Sequence, residues 1–207
     1  MNLRSAKFVS VDLETTGLNP KRDEIIAIAI VPLDGTKILA SKSFYSLIKP
    51  SKFKIETIKI HGIDPKSLHS APSFGDIANE VRLMLNNKIL IGHSVNTDYK
   101  FLRVVFKKHN YEFRADTIDI ILLEQVLAER LGEKLTWEDQ SLENIAKRYG
   151  IRCLYRHNAL ADAFIAAQIF QIQILKLIKY GITTVERLKE VLSDKLNSRI
   201  KFNFINF

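Results

Sequence analysis

The apolar pattern first changes period at Ser73, and that change constrains the fold more than any other feature of the chain. Before it, Phe8, Val9, Val11 and Leu13, then Ile25 to Val31, then the more loosely alternating Thr36 to Ile48, read as strands. Asp34-Gly35 is a hairpin signal, which makes the second and third strands antiparallel neighbours. After it, Phe74, Ile77, Ala78, Val81, Met84 and Leu85 recur at helical spacing behind a Ser73/Asp76 capping box. Lys88 to Ile91 reads as a short buried strand and Thr97 to His109 as a helix that buries Phe101, Leu102, Val105 and Phe106. Helices are expected over Ile118 to Leu131 and Ser141 to Tyr149, with Gly132 to Gln140 as a polar linker. A long helix capped by Asn158 runs to about Lys179, and after Gly181 a Thr183-to-Glu186 capping box opens the last one. An antiparallel three-strand start followed by strand and helix alternation specifies an α/β or α+β sheet whose later strands are parallel.

At 207 residues, 46% hydrophobic and 26% charged, the chain suits one globular domain with a short appendage, and excludes disordered, collagen-like and coiled-coil classes. A chain of this size buries about 70% of its unfolded surface and needs no metal or disulfide to fold. The single cysteine, Cys153, cannot form an internal disulfide, and no apolar signal core precedes Lys7. The runs Ile25 to Leu33 and Ala163 to Leu175 are shorter than the roughly 20 residues that span a bilayer. A reducing, cytoplasmic setting without a membrane segment is the expectation.

Three acidic motifs carry the chemistry. Asp12 and Glu14 lie two apart on the first strand, so both carboxylates emerge on one face, about 6.7 Å apart along the chain. Alone, they fit either a solvated strand end or a buried pair compensated by a cation or by donors. Asp98 follows the buried strand and Gly92-His93, at a helix start and a strand's carboxyl end, where sites of α/β sheets collect; helix-dipole stabilisation alone would also account for it. His157 and Asp162 lie five residues apart, about 140° around a helix, so His157 must precede the cap if the two share a site. Four carboxylates without clustered Cys or His suit hard cations such as Mg²⁺ or Mn²⁺. Two such ions would clamp the attacking and leaving oxygens of a phosphodiester, and a histidine titrating near neutrality would serve as base.

Asp12-Leu-Glu14-Thr15-Thr16-Gly17-Leu18, Gly92-His93 with Asp98 and Phe101-Leu102, and His157-x4-Asp162 together resemble the three motifs of the DEDDh exonuclease family. Ile60-His61-Gly62-Ile63 and Asp116-Thr117 add weaker matches, and the resemblance is strongest to the proofreading epsilon-type subunits of bacterial DNA polymerase III. It implies an RNase H-like fold with a mixed five-stranded sheet, and removal of nucleoside monophosphates from the 3′ end of DNA. It further implies two Mg²⁺ or Mn²⁺ held by Asp12, Glu14, Asp98 and Asp162, with His157 as general base. Thr15, Thr16, Leu18, His61 and Phe101 would line the pocket of the terminal nucleotide; Leu18 and Phe101 also fit plain core. Ser94, where many relatives have Asn, and Thr97, where Phe is common, depart from the pattern without removing a ligand. RNA-trimming exoribonucleases share the same five residues, and a non-catalytic nucleic-acid or polymerase-binding module is the contrasting reading.

The charge distribution fits a polyanionic partner. Net charge is +8, of which the four site carboxylates contribute −4, so the remainder sums to +12. Ser41 to Ser70 carries six Lys against Glu56 and Asp64, and Lys100 to Arg114 carries five Lys or Arg against Glu112, as a groove tracking a nucleic-acid backbone requires. Single-stranded DNA or frayed 3′ ends, with RNA as the alternative, are the expected substrates, and a polymerase subunit the expected partner. Residues 1–180 are expected to form the exonuclease domain and 181–207 a C-terminal helix and Phe-rich basic tail. In that tail the apolar residues at 200, 202 and 204 fit a strand or a docking peptide, packed on the domain or on a partner.

Overall fold

The computed structural model describes residues 1–51, 62–155 and 157–205, with side chains described as far as Asn197. Strand β1 (Lys7–Thr15) pairs antiparallel with β2 (Ile25–Asp34), and a turn at Gly35 returns the chain into β3 (Lys37–Ile38). Gly35 has φ 57°, and a Cβ there would lie 2.0 Å from the Arg4 carbonyl oxygen, so only glycine fits the turn. The single third strand expected over Thr36 to Ile48 is broken in two. A 3₁₀ turn at Ala40–Lys42 separates β3 from β4 (Phe44–Leu47), and both pair with the same edge of β2. The Ser43 hydroxyl donates to the Ala40 carbonyl at 2.7 Å, a local bond that competes with the sheet ladder.

Helices α1 (Pro65–His69) and α2 (Phe74–Leu85) follow, the latter opened by Ser73 and Asp76 as expected. Strand β5 (Ile89–Gly92) then pairs parallel with β1, α3 (Val95–Lys108) crosses over, and β6 (Thr117–Asp119) pairs parallel with β5. The sheet order is β3-β2-β1-β5-β6, a mixed sheet flanked by helices. Strand β6 corrects the expected helix from Ile118. Ile118 pairs with Ile91, and helix α4 (Ile120–Arg130) starts only after Asp119, whose side chain accepts from the Ile121 N–H at 3.0 Å. Helices α5 (Leu142–Arg148), α6 (Ala159–Lys179) and α7 (Val185–Ile205) complete the chain.

Each face of the sheet has its own core. Val9, Val11, Ile28 and Ile30 pack with Phe74 and Val81 of α2 and Leu102 and Phe106 of α3. Phe8, Ala27, Ala29 and Val31 face the other way, into a cluster built by α4, α5, α6 and α7. Helix α6 lies across β1 and β2, with Ala163, Ala166 and Ala167 in the same cluster as Ala27 and Ala29; small residues on both surfaces permit close approach. Phe8 and Phe170 meet edge to face at 4.8 Å. At 21 residues and a mean hydropathy of 1.4, α6 is long and apolar enough to cross a membrane, which the shorter run Ala163 to Leu175 did not suggest. More than half of that stretch, 56%, is buried inside the protein, as the spine of this core.

Two expectations for the C-terminal region change. The last helix is capped one residue later than expected: the Thr184 hydroxyl accepts from the Arg187 N–H at 3.2 Å, while Glu186 receives the Met1 ammonium at 2.7 Å. The backbone is helical as far as Ile205, so of the two readings of residues 200 to 204, strand or docking peptide, the strand does not form; the Phe side chains of the tail lie outside the described residues. Val185, Leu188 and Leu192 of α7 are buried in the α6 core.

Candidate active site

The β1–β5 pairing ends at Ser10 and Ile91, but β1 continues to Thr15. Its last residues therefore project beyond the carboxyl end of β5. Asp12 and Glu14 fall on the same side of β1 as Phe8, toward α6, opposite Ala29 and Ala27 of β2. Gly92 lets the chain turn here, since a Cβ on it would lie 2.8 Å from the Val11 carbonyl oxygen.

Immediately after this turn Ser94 adopts a left-handed conformation (φ 57°, ψ 33°) and starts α3, which places Asp98 in the first turns beside the end of β1. Part of the Asp98 surface reaches solvent, yet its carboxyl group is enclosed. Burial pushes this group well above the usual carboxylate range. Hydrogen bonds from its own backbone and that of Leu13 oppose the shift, and the carboxylates of Asp119 and Glu14 add to it. Asp119 was not among the residues singled out in the sequence. It accepts from the N–H groups of Ser94 at 3.2 Å and Ile121 at 3.0 Å, joining the starts of α3 and α4. Its own pKa is raised by burial, against those bonds and the nearby His93. An Asp ahead of an apolar helical run is an N-cap signal, and it could have been read from Asp119-Ile-Ile-Leu.

On the other side, Asn158 caps α6 by accepting from the Ala161 N–H at 3.1 Å, which leaves His157 outside the helix as the shared-site geometry demands. His157 is exposed, has φ 58°, and donates its backbone N–H to the buried Asp162 carboxylate at 3.2 Å. The two residues are thus brought together, and the turn of α6 that bears Asp162 lies on the face toward which Asp12 and Glu14 project.

The expected nucleotide-pocket residues separate. Leu18 is 89% exposed at the tip of the β1–β2 loop, whereas Phe101 is 3% exposed and belongs to the α2–α3 core. Thr15 donates its hydroxyl to the Gly17 carbonyl at 2.7 Å, and the buried Thr16 hydroxyl accepts from the Glu24 N–H at 2.9 Å, so both brace the loop that carries Leu18. Asp23 packs where a Gly17 side chain would stand and accepts from the Asn19 N–H at 2.8 Å. His61 lies outside the described residues.

The profile of the exonuclease family (RNase T) matches residues 9–170, a stretch that contains every motif described above except the C-terminal helix. The chain belongs to the exonuclease family. The DNA polymerase III epsilon subunit of Aquifex aeolicus is 31% identical over 194 residues, covering 92% of this chain and 92% of that subunit. The PolC-type DNA polymerase III of Thermotoga petrophila is 32% identical over 196 residues, 92% of this chain but 14% of the polymerase, so the exonuclease chain spans about a seventh of such relatives. Among solved structures, cell-death related nuclease 4 (CRN-4) superposes with a TM-score of 0.71 at 20% identity, covering 84% of this chain and 65% of that one. Escherichia coli Exonuclease I in complex with a dT13 oligonucleotide superposes with a TM-score of 0.70 at 19% identity, over 85% of this chain and 43% of that one. Both have the RNase H-like fold that this chain adopts.

Exonucleases of this kind use divalent metal ions. The donor chemistry here fits, because Asp12, Glu14, Asp98 and Asp162 supply hard carboxylate oxygens at one sheet edge. The side-chain placement is looser than the chemistry. Among the described residues no group of three or more His, Cys, Asp or Glu side chains is arranged to hold an ion. Ligation would require these side chains to draw together.

Proposed function

We propose that this exonuclease releases nucleoside monophosphates from the 3′ end of DNA, with two Mg²⁺ or Mn²⁺ held by Asp12, Glu14, Asp98 and Asp162. The observation that carries this reading is the placement of Asp12 and Glu14 on the end of β1 that outruns β5, with Asp98 in the first turns of α3 and Asp162 in the first turn of α6. Gathering negative charge in a cleft is costly for a scaffold and is repaid when a cation is the intended guest. Ions bound there would polarise the scissile phosphate and stabilise the leaving oxygen. His157, exposed beside Asp162, would take the proton of the attacking water, and its position ahead of α6 leaves the ring accessible to it. Leu18, on its braced loop, would meet the terminal base. Phe101, which lines a cavity with Pro20 and Glu24 of the same loop, would meet it from the core side.

Residues 1–180 would form the hydrolytic unit. Single-stranded DNA as substrate is supported by the dT13 complex of Exonuclease I. A polymerase partner, and with it a cytoplasmic setting, is supported by the relatives named DNA polymerase III. The test is to give the purified protein matched 5′-labelled DNA and RNA single strands with Mg²⁺, Mn²⁺ or EDTA, beside Asp12→Asn. Stepwise 3′ shortening that needs both metal and Asp12 supports the proposal, and faster shortening of DNA than of RNA supports the substrate. Shortening from the 5′ end, or none with any metal, overturns it.

A further inference from the structure

Tyr99, Arg103 and Lys107 stand four residues apart on α3, so they form one stripe that begins beside Asp98 and runs about 12 Å along the helix. With Tyr111 and Arg114 they line an open groove of about 770 Å³ between α3 and the loop that follows it. Aromatic rings build its floor. Buried Phe113 packs on Tyr99 with centroids 5.9 Å apart, and the Arg103 guanidinium lies over the other ring at 5.7 Å from the Tyr99 centroid. Glu112, an acid in this lining, is bound by Arg114 at 2.6 Å. Among the described residues, Lys100, Arg103, Lys107 and Lys108 form no ion pair.

Helix stability does not explain this charge. Cations are favoured in the last turn of a helix, which accounts for Lys107 and Lys108, but Lys100 lies in the N-terminal half of α3 and Arg103 beyond the reach of that effect. A stripe that sets a stacking surface, Tyr99, next to the cations Arg103 and Lys107 matches the chemistry of single-stranded nucleic acid, which presents bases and phosphates together. An acidic peptide would use the charges and leave the rings without a role.

We propose that this groove is the track on which a single-stranded substrate lies beyond the hydrolytic site, with phosphates facing Arg103 and Lys107 and a base stacked on the Tyr99–Arg103 pair. The inference rests on the exonuclease reading above, and its test separates the two. Binding of a fluorescent 20-nucleotide oligothymidylate is measured in EDTA for the full chain and for the double variant Arg103→Gln/Lys107→Gln, across a salt series. Turnover of the p-nitrophenyl ester of thymidine 5′-monophosphate, too short to reach the groove, is measured with Mn²⁺. The variant is expected to bind about tenfold more weakly, with a salt slope smaller by about 1.4 for two lost phosphate contacts, and to hydrolyse the ester at the parent rate. Unchanged affinity and slope overturn the track, as do an equal loss on the ester or equally tight binding of polyglutamate of matching charge. Should the parent bind oligonucleotide through Arg103 and Lys107 yet hydrolyse neither substrate, the track stands and the exonuclease reading falls. Tyr99→Leu, which keeps the packing on Phe113, is expected to lower affinity without changing the salt slope; a changed slope with unchanged affinity contradicts the stacking role.

Discussion

Two stretches of α6, one near its middle and one at its N-terminal turn, meet carboxylates in different ways. Toward its middle, Gln173 reaches Glu124 of α4, which is 2% exposed and surrounded by donors. Tyr149 gives it a hydroxyl at 2.5 Å, Gln173 an amide at 2.9 Å, and Arg148 a guanidinium at 3.3 Å. Burial and the Glu124 hydrogen bond raise the Tyr149 pKa, so the phenol keeps its proton and remains a donor. That carboxylate is a structural pin. At the N-terminal end of the helix, Asp162 belongs to an edge where Asp98 is enclosed with Glu14 and Asp119 as like-charged neighbours. Both places supply donors, but only at the sheet edge do like-charged neighbours add to the cost of ionisation, a cost that a bound cation would offset.

Breaking the site should have the largest effect. Asp12→Asn or Asp98→Asn is expected to reduce hydrolysis to background in a gel-based shortening assay while the protein remains folded by circular dichroism. His157→Ala should lower the rate by roughly 10² to 10⁴ and leave Mg²⁺ binding, followed by calorimetry, in place. On α4, Glu124→Ala should cost on the order of 3 kcal/mol, since it removes the shared acceptor of Tyr149, Gln173 and Arg148, and should lower Tm while kcat of the folded enzyme is retained. Equal losses of activity from Glu124→Ala and Asp12→Asn at a temperature where both are folded would erase the contrast.

Charge sharpens the comparison further. The fold holds the Asp98 proton more tightly than the unfolded chain, where an Asp titrates near about 3.9. Its contribution to stability is therefore complete at low pH and is lost as pH rises from that value through the raised folded one. In EDTA, Asp98→Asn is expected to have a higher Tm than the parent at pH 7 and a matching Tm near pH 4. Adding Mg²⁺ at 100 times its Kd should stabilise the parent by about 2.7 kcal/mol and the variant by less. The smallest expected effect is at Ser94, whose left-handed backbone asparagine tolerates better. Ser94→Asn should recover a fraction of the roughly 1–2 kcal/mol that this conformation costs, read as a small rise in Tm.

Much of the placement of the candidate residues was legible because it follows local rules. The two-residue period sets Asp12 and Glu14 on one face, Asn158 as a cap puts His157 outside the helix, and a strand end followed by a helix start locates Asp98. Where a tertiary partner decides, the sequence misleads. Ile118 sits in an apolar run that suits a helix, yet pairing with Ile91 of a distant strand makes it β6, and with that shift Asp119 becomes the cap that ties α3 to α4. Phe101 shares its motif with Asp98 and packs in the α2–α3 core, one of the two places the sequence allowed it, while also lining a cavity with Pro20 and Glu24 of the β1–β2 loop.

The sequence by itself determined the alternation of strands and helices, the basic surroundings and the three acidic motifs, because each rests on contacts a few residues apart. Only the tertiary structure decided that β1 outruns β5, that alanines on β2 and α6 let the helix approach the carboxylates, and that Asp98 is enclosed with Glu14 and Asp119 as neighbours. Those features depend on which distant segments share a face. The free energy that selects among such pairings is the burial of whole surfaces, which no short stretch of chain encodes.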